Sequence, residues 1–185
     1  MKKNIVVTGG TGRFGNHLKS ISTKHKLFFP TKNQFNILNF NSMLKYFNKT
    51  KPDIVIHLAG FSRPMELHEK DINKSINLNI IGTANVTIAC SQKNIKLIYF
   101  STNYVYPGIN GNYNEDDPLK PFNNYAWSKL GGECSVKIYK NSLILRVCMT
   151  EKPFIHKKAF ANVKTSFMYH DEVAKILFKL LNKKG

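Results

Sequence analysis

Apolar residues in this chain gather in short unbroken runs, separated by longer segments with helical spacing. The runs are NIVV at 4–7, KLFF at 26–29, DIVIHL at 53–58, KLIYF at 96–100 and SLILRV at 142–147. A strand with one wet face alternates apolar and polar residues, whereas a strand covered on both faces is apolar throughout. The five runs therefore predict buried strands. The segments between them predict helices near 13–23, 41–50, 73–92 and 124–140, with a last one at about 171–182. Strand and helix alternate, so the expected fold is α/β, a doubly wound parallel sheet with helices on both faces. The longest irregular stretch, 102–123, carries Pro107, Gly108, Gly111, Pro118 and Pro121. A loop of that length in a small domain is usually functional.

Length makes this a single domain over 1–185, with 148–185 as a short C-terminal tail and final helix. Such a chain buries about two-thirds of its unfolded surface. No apolar run approaches the roughly 20 residues that span a bilayer. The apolar run in the opening MKKNIVVTGG stops at glycines, so no secretory signal is expected and a cytoplasmic location is. Cys90, Cys134 and Cys148 are widely spaced, with no C-x-x-C pair and no nearby His cluster. They are expected to be buried free thiols, and no metal site is expected.

The formal charge of +17 raises nucleic acid as a partner. However, 25 of the 28 basic residues are lysines spread along the chain, beside 21 asparagines. That pattern reads as compositional bias with a solvated basic surface, and polyanion binding is set aside.

The first chemistry lies in VVTGGTGRFG, which follows the first strand and opens the first helix. Gly9, Gly12 and Gly15 sit three apart. The first allows a tight turn, the second lets a phosphate approach the backbone, and the third lets helix pack on strand. No Gly-Lys-Ser/Thr ending is present, so this is not a nucleotide-hydrolysing P-loop. The expected ligand is a dinucleotide, and the expected sheet is of Rossmann type. After the second strand, FFPTKNQ offers no acidic residue for an adenosine ribose. Lys32 and Arg13 are available for a 2'-phosphate instead, which tilts the cofactor toward NADP over NAD.

In NNYAWSKLGGE, Tyr125 precedes Lys129 by four residues, on one face of a predicted helix. A chain this rich in lysine contains roughly one Tyr-x-x-x-Lys by chance. The pair gains meaning only from its context, and the context is extensive. TGGTGRFG, PDIVIHLAG, NLNIIGTANV, STNYVYPG, YNEDDPLKPFNNYAWSKLGGE and FMYHDEVAKIL follow one another in the order and spacing of the extended short-chain dehydrogenase/reductases. Within that superfamily the chain resembles the dTDP-4-dehydrorhamnose reductase group over about residues 3–182. PDIVIHLAG resembles the family's fourth strand.

The resemblance implies Tyr125 as catalytic acid/base, Lys129 as its partner, Thr102 holding the substrate oxygen, and Asn79 in the proton relay. It also implies Gly9, Gly12, Arg13, Phe14 and Gly15 along a pyrophosphate, and Ala59 and Gly60 beside the adenosine. A nearby ammonium lowers a phenol's pKa, which is expected to make Tyr125 a ready proton carrier. His57 is expected to be a satisfied core histidine.

Departures from the family bear on substrate. Asn36 stands where an Asp is frequent, and His57 where an Asn is. Only 38 residues follow LILRV, and six aromatic or His side chains in FIHKKAFANVKTSFMYH are the evident substrate-facing material. The expected activity is reduction of a keto nucleotide-sugar by NAD(P)H. An epimerase or dehydratase that retains its cofactor, and a non-catalytic NAD(P)-binding regulatory subunit, are the alternatives. Homodimerisation that completes the site from a neighbouring subunit is left open.

Overall fold

The computed structural model describes residues 1–154 and 165–185. Its centre is a five-stranded parallel sheet of β1 (Asn4–Thr8), β2 (Lys26–Phe28), β3 (Ile54–His57), β4 (Lys96–Thr102) and β5 (Ser142–Val147). The strand order is β2-β1-β3-β4-β5. All five apolar runs became strands because both sheet faces are covered. Along β1, Ile5 and Val7 enter one core while Val6 enters the other; β3 divides Ile54 and Ile56 from Val55 in the same way. The segment likened to the family's fourth strand is the third of this chain, β3.

One face is covered by α1 (Arg13–Lys19) and α7 (His170–Leu180), through Phe14, Leu18, Val173 and Leu177. The other carries α2 (Phe40–Thr50), α5 (Gly82–Gln92) and α6 (Asn124–Ile138), through Met43, Phe47, Val86 and Val136. The doubly wound architecture is as expected. Among the described residues, no helix is long and apolar enough to cross a membrane.

Several elements differ from the sequence pattern. Two short helices, α3 (Leu67–Lys70) and α4 (Ile72–Ser75), precede a π-helical turn at Ile76–Ile81 that leads into α5. The single helix expected over 73–92 is thus interrupted where Asn79 is drawn inward, 1% exposed. α1 stops at Lys19 rather than 23, where the Ser20 hydroxyl donates to the His17 carbonyl at 2.8 Å. A second, two-stranded sheet of β6 (Met149–Thr150) and β7 (Met168–Tyr169) was not anticipated. The cysteines are free, but only Cys90 is buried; Cys134 is exposed and Cys148 half-buried.

The chain moves outward in opposite directions from β1 and β3. Crossover helices leave a crevice at such a point, beyond the carboxyl ends of the strands. Gly9 closes that crevice from below with φ of 71°. A Cβ there would lie 2.7 Å from the Ala59 nitrogen, a backbone atom that cannot swing aside. Gly9→Ala should therefore destabilise the fold by about 2 kcal/mol through backbone strain and overpacking. An unchanged urea unfolding midpoint would show that the turn is not held this way.

Candidate active site

The crevice is a cleft of about 510 Å³, and every residue given a catalytic or cofactor-binding role from the sequence lines it. At one end the glycine loop turns through a Gly12 N–H donated to the Gly9 carbonyl at 2.9 Å. A Cβ on Gly15 would meet that carbonyl at 2.5 Å, so helix and loop pack backbone on backbone. Phe14 belongs to the core as much as to the cleft, with its ring 5.3 Å from those of Phe100 and His170. The Arg13 guanidinium is engaged by the Glu151 carboxylate at 3.0 Å. Burial pushes the Glu151 carboxyl up, but its own backbone N–H and Arg13 outweigh this and hold it below its ordinary value. Lys32 and Asn36 reach the cleft from the segment after β2.

The floor beneath Ala59 rests on Thr8. Its hydroxyl accepts the N–H groups of Leu58 at 3.2 Å and Ala59 at 3.1 Å, and pairs with His57 Nδ1 at 2.8 Å. His57 Nε2 meets the Thr83 hydroxyl at 3.2 Å. Burial, and secondarily the charge of Lys129, pulls the His57 pKa down to about 3. It is the satisfied, neutral core histidine that the sequence suggested.

At the other end stands α6. The Asn123 side chain caps it by accepting the Ala126 N–H at 2.8 Å, which fixes Tyr125 in the first turn and Lys129 one turn later. Thr102, the last residue of β4, faces the same cleft as the Tyr125 phenol and accepts the Tyr104 N–H at 3.3 Å. The Tyr125 ring is flanked edge-on by His68 at 5.1 Å and Tyr104 at 6.2 Å. Lys129 is 8% exposed, its ammonium 4.1 Å from the centre of the Tyr99 ring.

This geometry corrects the expected electrostatics. Burial raises the Tyr125 pKa above its ordinary value, and the Thr102 hydroxyl only partly opposes it. Lys129 is drawn down to about 7 by burial, with Glu133 pulling the other way. Both groups are driven toward their neutral forms, because removing a charge from water costs more than these neighbours return.

Asn79 is fully occupied. Its carbonyl oxygen accepts the Phe61 N–H at 2.7 Å, and its amide donates to the Phe61 carbonyl and the Ser128 hydroxyl, each at 2.8 Å. Of the six late aromatic and His side chains, His156 and Phe160 lie outside the described residues. Phe154 tilts against Phe167 at 5.7 Å, Phe167 meets Tyr169 edge-on at 5.6 Å, and of these four described residues only His170 lines the cleft.

Two contributors were not foreseen, Arg63 and Glu151, which also line the cleft. Asn103 lines it too, with its side-chain oxygen buried without a hydrogen-bond partner among the described residues. Behind α6, Arg146 pairs with the 3%-exposed Glu133 at 3.0 Å. One signal was available: the chain writes basic residues as arginine only three times, at 13, 63 and 146.

Sheet order, glycine turn and cleft together define a Rossmann-type α/β protein. Residues 1–163 match the family model "RmlD substrate binding domain", and the chain belongs to that family. It is similar to methionine adenosyltransferase 2 subunit beta of Pongo abelii, 28% identical over 72% of this chain and 42% of that protein. It is likewise similar to spore coat polysaccharide biosynthesis protein SpsK of Bacillus subtilis, 31% identical over 77% of this chain and 51% of that protein. The chain thus spans about half the length of these curated relatives. In fold it matches the crystal structure of dTDP-4-dehydrorhamnose reductase from Bacillus anthracis in complex with NADP. The TM-score is 0.85, at 23% identity, over 99% of this chain and 72% of that one.

The depressed lysine has a measurable consequence. Unfolded, Lys129 holds its proton up to its ordinary value of 10.5; folded, only below about 7. Between those values the unfolded state binds more protons, so stability rises with pH through that window. The wild type should therefore gain stability relative to Lys129→Met as pH is raised from 7 to 9, measured by urea unfolding. A difference that does not move with pH would rule out the depressed pKa.

Proposed function

We propose that this protein reduces the carbonyl of a keto nucleotide-sugar with NAD(P)H. The observation that carries the reading is the convergence of Thr102, Tyr125 and Lys129 on the same cleft as the glycine loop. In reduction the carbonyl oxygen needs an oriented proton donor. Tyr125, whose raised pKa keeps the phenol protonated near neutrality, gives that proton, and Thr102 orients the oxygen. The cofactor, when bound, supplies the hydride.

The residues present fit such a cofactor. The loop of Gly9, Gly12 and Gly15 exposes backbone to a pyrophosphate, with Phe14 beneath and Arg13 beside it once released from Glu151. When bound, the adenosine would be held by Ala59 and Gly60, a 2'-phosphate by Lys32 and the ribose by Lys129, all of which line the cleft. The tilt toward NADP over NAD rests on Lys32, since structures of similar fold are crystallised with either. Asn79 is read as a positioning residue, because its amide is committed to Phe61 and Ser128. We take 1–185 as one cytoplasmic domain with its substrate side in 148–185.

A second reading draws on the similarity to methionine adenosyltransferase 2 subunit beta: a non-catalytic, cofactor-binding subunit. A dehydratase is less well supported, because the neutral Asn103 follows Thr102 where acid chemistry would be needed. The test is NADPH oxidation against a panel of dTDP- and UDP-4-keto sugars. Tyr125→Phe should lower turnover by about 100-fold or more while leaving NADPH binding intact. Unchanged turnover in that variant would overturn the mechanism. NADPH binding without turnover on any sugar, with a stoichiometric partner in a pull-down, would select the subunit reading.

A further inference from the structure

We propose that Arg63 is the anion anchor of the substrate, gripping the diphosphate of a nucleotide-sugar whose carbonyl meets Thr102 and Tyr125. The proposal rests on the reductase reading and adds a specificity residue to it. Arg63 lines the same cleft as Thr102 and Tyr125. Each of the other two arginines is committed elsewhere: Arg13 to Glu151 at 3.0 Å, and Arg146 to Glu133 at 3.0 Å. Arg63 has no ion pair among the described residues. The cleft offers it none, since Glu151 is the single carboxylate in the lining and Arg13 already holds it.

The guanidinium stands on an exposed turn that begins at a firmly held residue. Two residues earlier, the Phe61 backbone is pinned at both its N–H and its carbonyl by Asn79. The Phe61 ring stacks on His68 at 4.3 Å, with the Lys74 ammonium 4.4 Å from its centre, and His68 in turn abuts Tyr125. Arg63 therefore emerges at the reaction end of the cleft rather than beside the glycine loop. Its field reaches that end: burial dominates the pKa values of Tyr104, Tyr125, Cys148 and His170, and the Arg63 charge acts on all four toward lower values.

The chemistry then selects the ligand. A guanidinium is a planar fork of donors that matches phosphate oxygens two at a time, which a lysine cannot do. In a sugar carrying its diphosphate on C1 and its ketone on C4, the two groups lie across the ring from each other. An occupant with its ketone at Thr102 and Tyr125 thus presents its diphosphate a ring's width away, within the same end of the cleft. A 2-oxo acid would instead place a carboxylate directly against the reacting carbonyl.

The test is calorimetric titration of NADPH-saturated protein with dTDP, UDP and, as a carboxylate probe, oxamate. Arg63→Gln should weaken dTDP or UDP binding by about tenfold or more, with Arg63→Lys recovering part of the loss. NADPH affinity and the urea midpoint should be unchanged, which separates anchoring from misfolding. Four results would overturn the proposal. They are equal nucleotide affinity in wild type and Arg63→Gln, no nucleotide binding to the wild type, a loss confined to oxamate, and a loss of NADPH affinity with nucleotide binding intact. Failure of the wild type to bind NADPH would instead sink the reductase reading, and the same titrations without cofactor would still decide the role of Arg63.

Discussion

The buried amide of Asn79 ties together three parts of the molecule that the cleft needs in register. It clamps Phe61 by both backbone polar groups, and it donates to the Ser128 hydroxyl, which itself donates to the Tyr125 carbonyl at 2.7 Å. The loop after β3, the π turn and the first turn of α6 are thereby joined through one side chain. A buried amide with all these bonds made is strongly position-specifying, because breaking any one strands a polar group away from water. The space around it is equally committed: a Cβ on Gly60 would approach the Asn79 carbonyl oxygen to 2.8 Å, and one on Gly132 would meet its backbone oxygen at 2.7 Å. The π turn follows from this demand, since a regular helix through 76–81 would aim the residue elsewhere.

A second constraint acts from behind α6. Arg146 on β5 bonds both carboxylate oxygens of Glu133, the Tyr106 hydroxyl at 2.8 Å and the Glu115 carbonyl at 3.0 Å. The pair contributes less to stability than to placement, since desolvating both partners offsets most of their attraction. What it secures is the long loop of 102–123 against the helix that carries Tyr125. It also puts a carboxylate one turn beyond Lys129, where it limits how far burial lowers that lysine.

How much of this was legible depended on whether the determining contact was local. The strands could be read because a parallel sheet covered on both faces imposes unbroken apolar runs, and β5 was matched over 142–147 residue for residue. The glycine loop could be read because its constraint lies within seven residues. The Arg146–Glu133 pair, the Arg13–Glu151 pair and the two-residue strands β6 and β7 had no such signature, for each depends on segments brought together only by the fold. Tyr125 shows the limit most clearly. Helical spacing correctly put it on one face with Lys129, but the direction of its pKa is set by burial, which spacing does not encode. The expectation of three buried thiols failed for the same reason at Cys134, which sits on the open face of α6.

The arrangement of charge in the cleft follows from these same terms. Beside α6, burial pushes Tyr125 and Lys129 toward neutrality, and Glu151 is spoken for by Arg13. Cations without an ion pair among the described residues remain toward the two extremities, Lys32 near the glycine loop and Arg63 near Tyr125. A molecule that fills such a cleft is most stable with anionic groups at its ends and an uncharged region between, where dehydration is least costly. On the proposed reductase reading, a 2'-phosphate near Lys32 and a sugar diphosphate near Arg63 would satisfy that distribution. Proton transfer at Tyr125 would then occur where burial makes each hydrogen bond strongest.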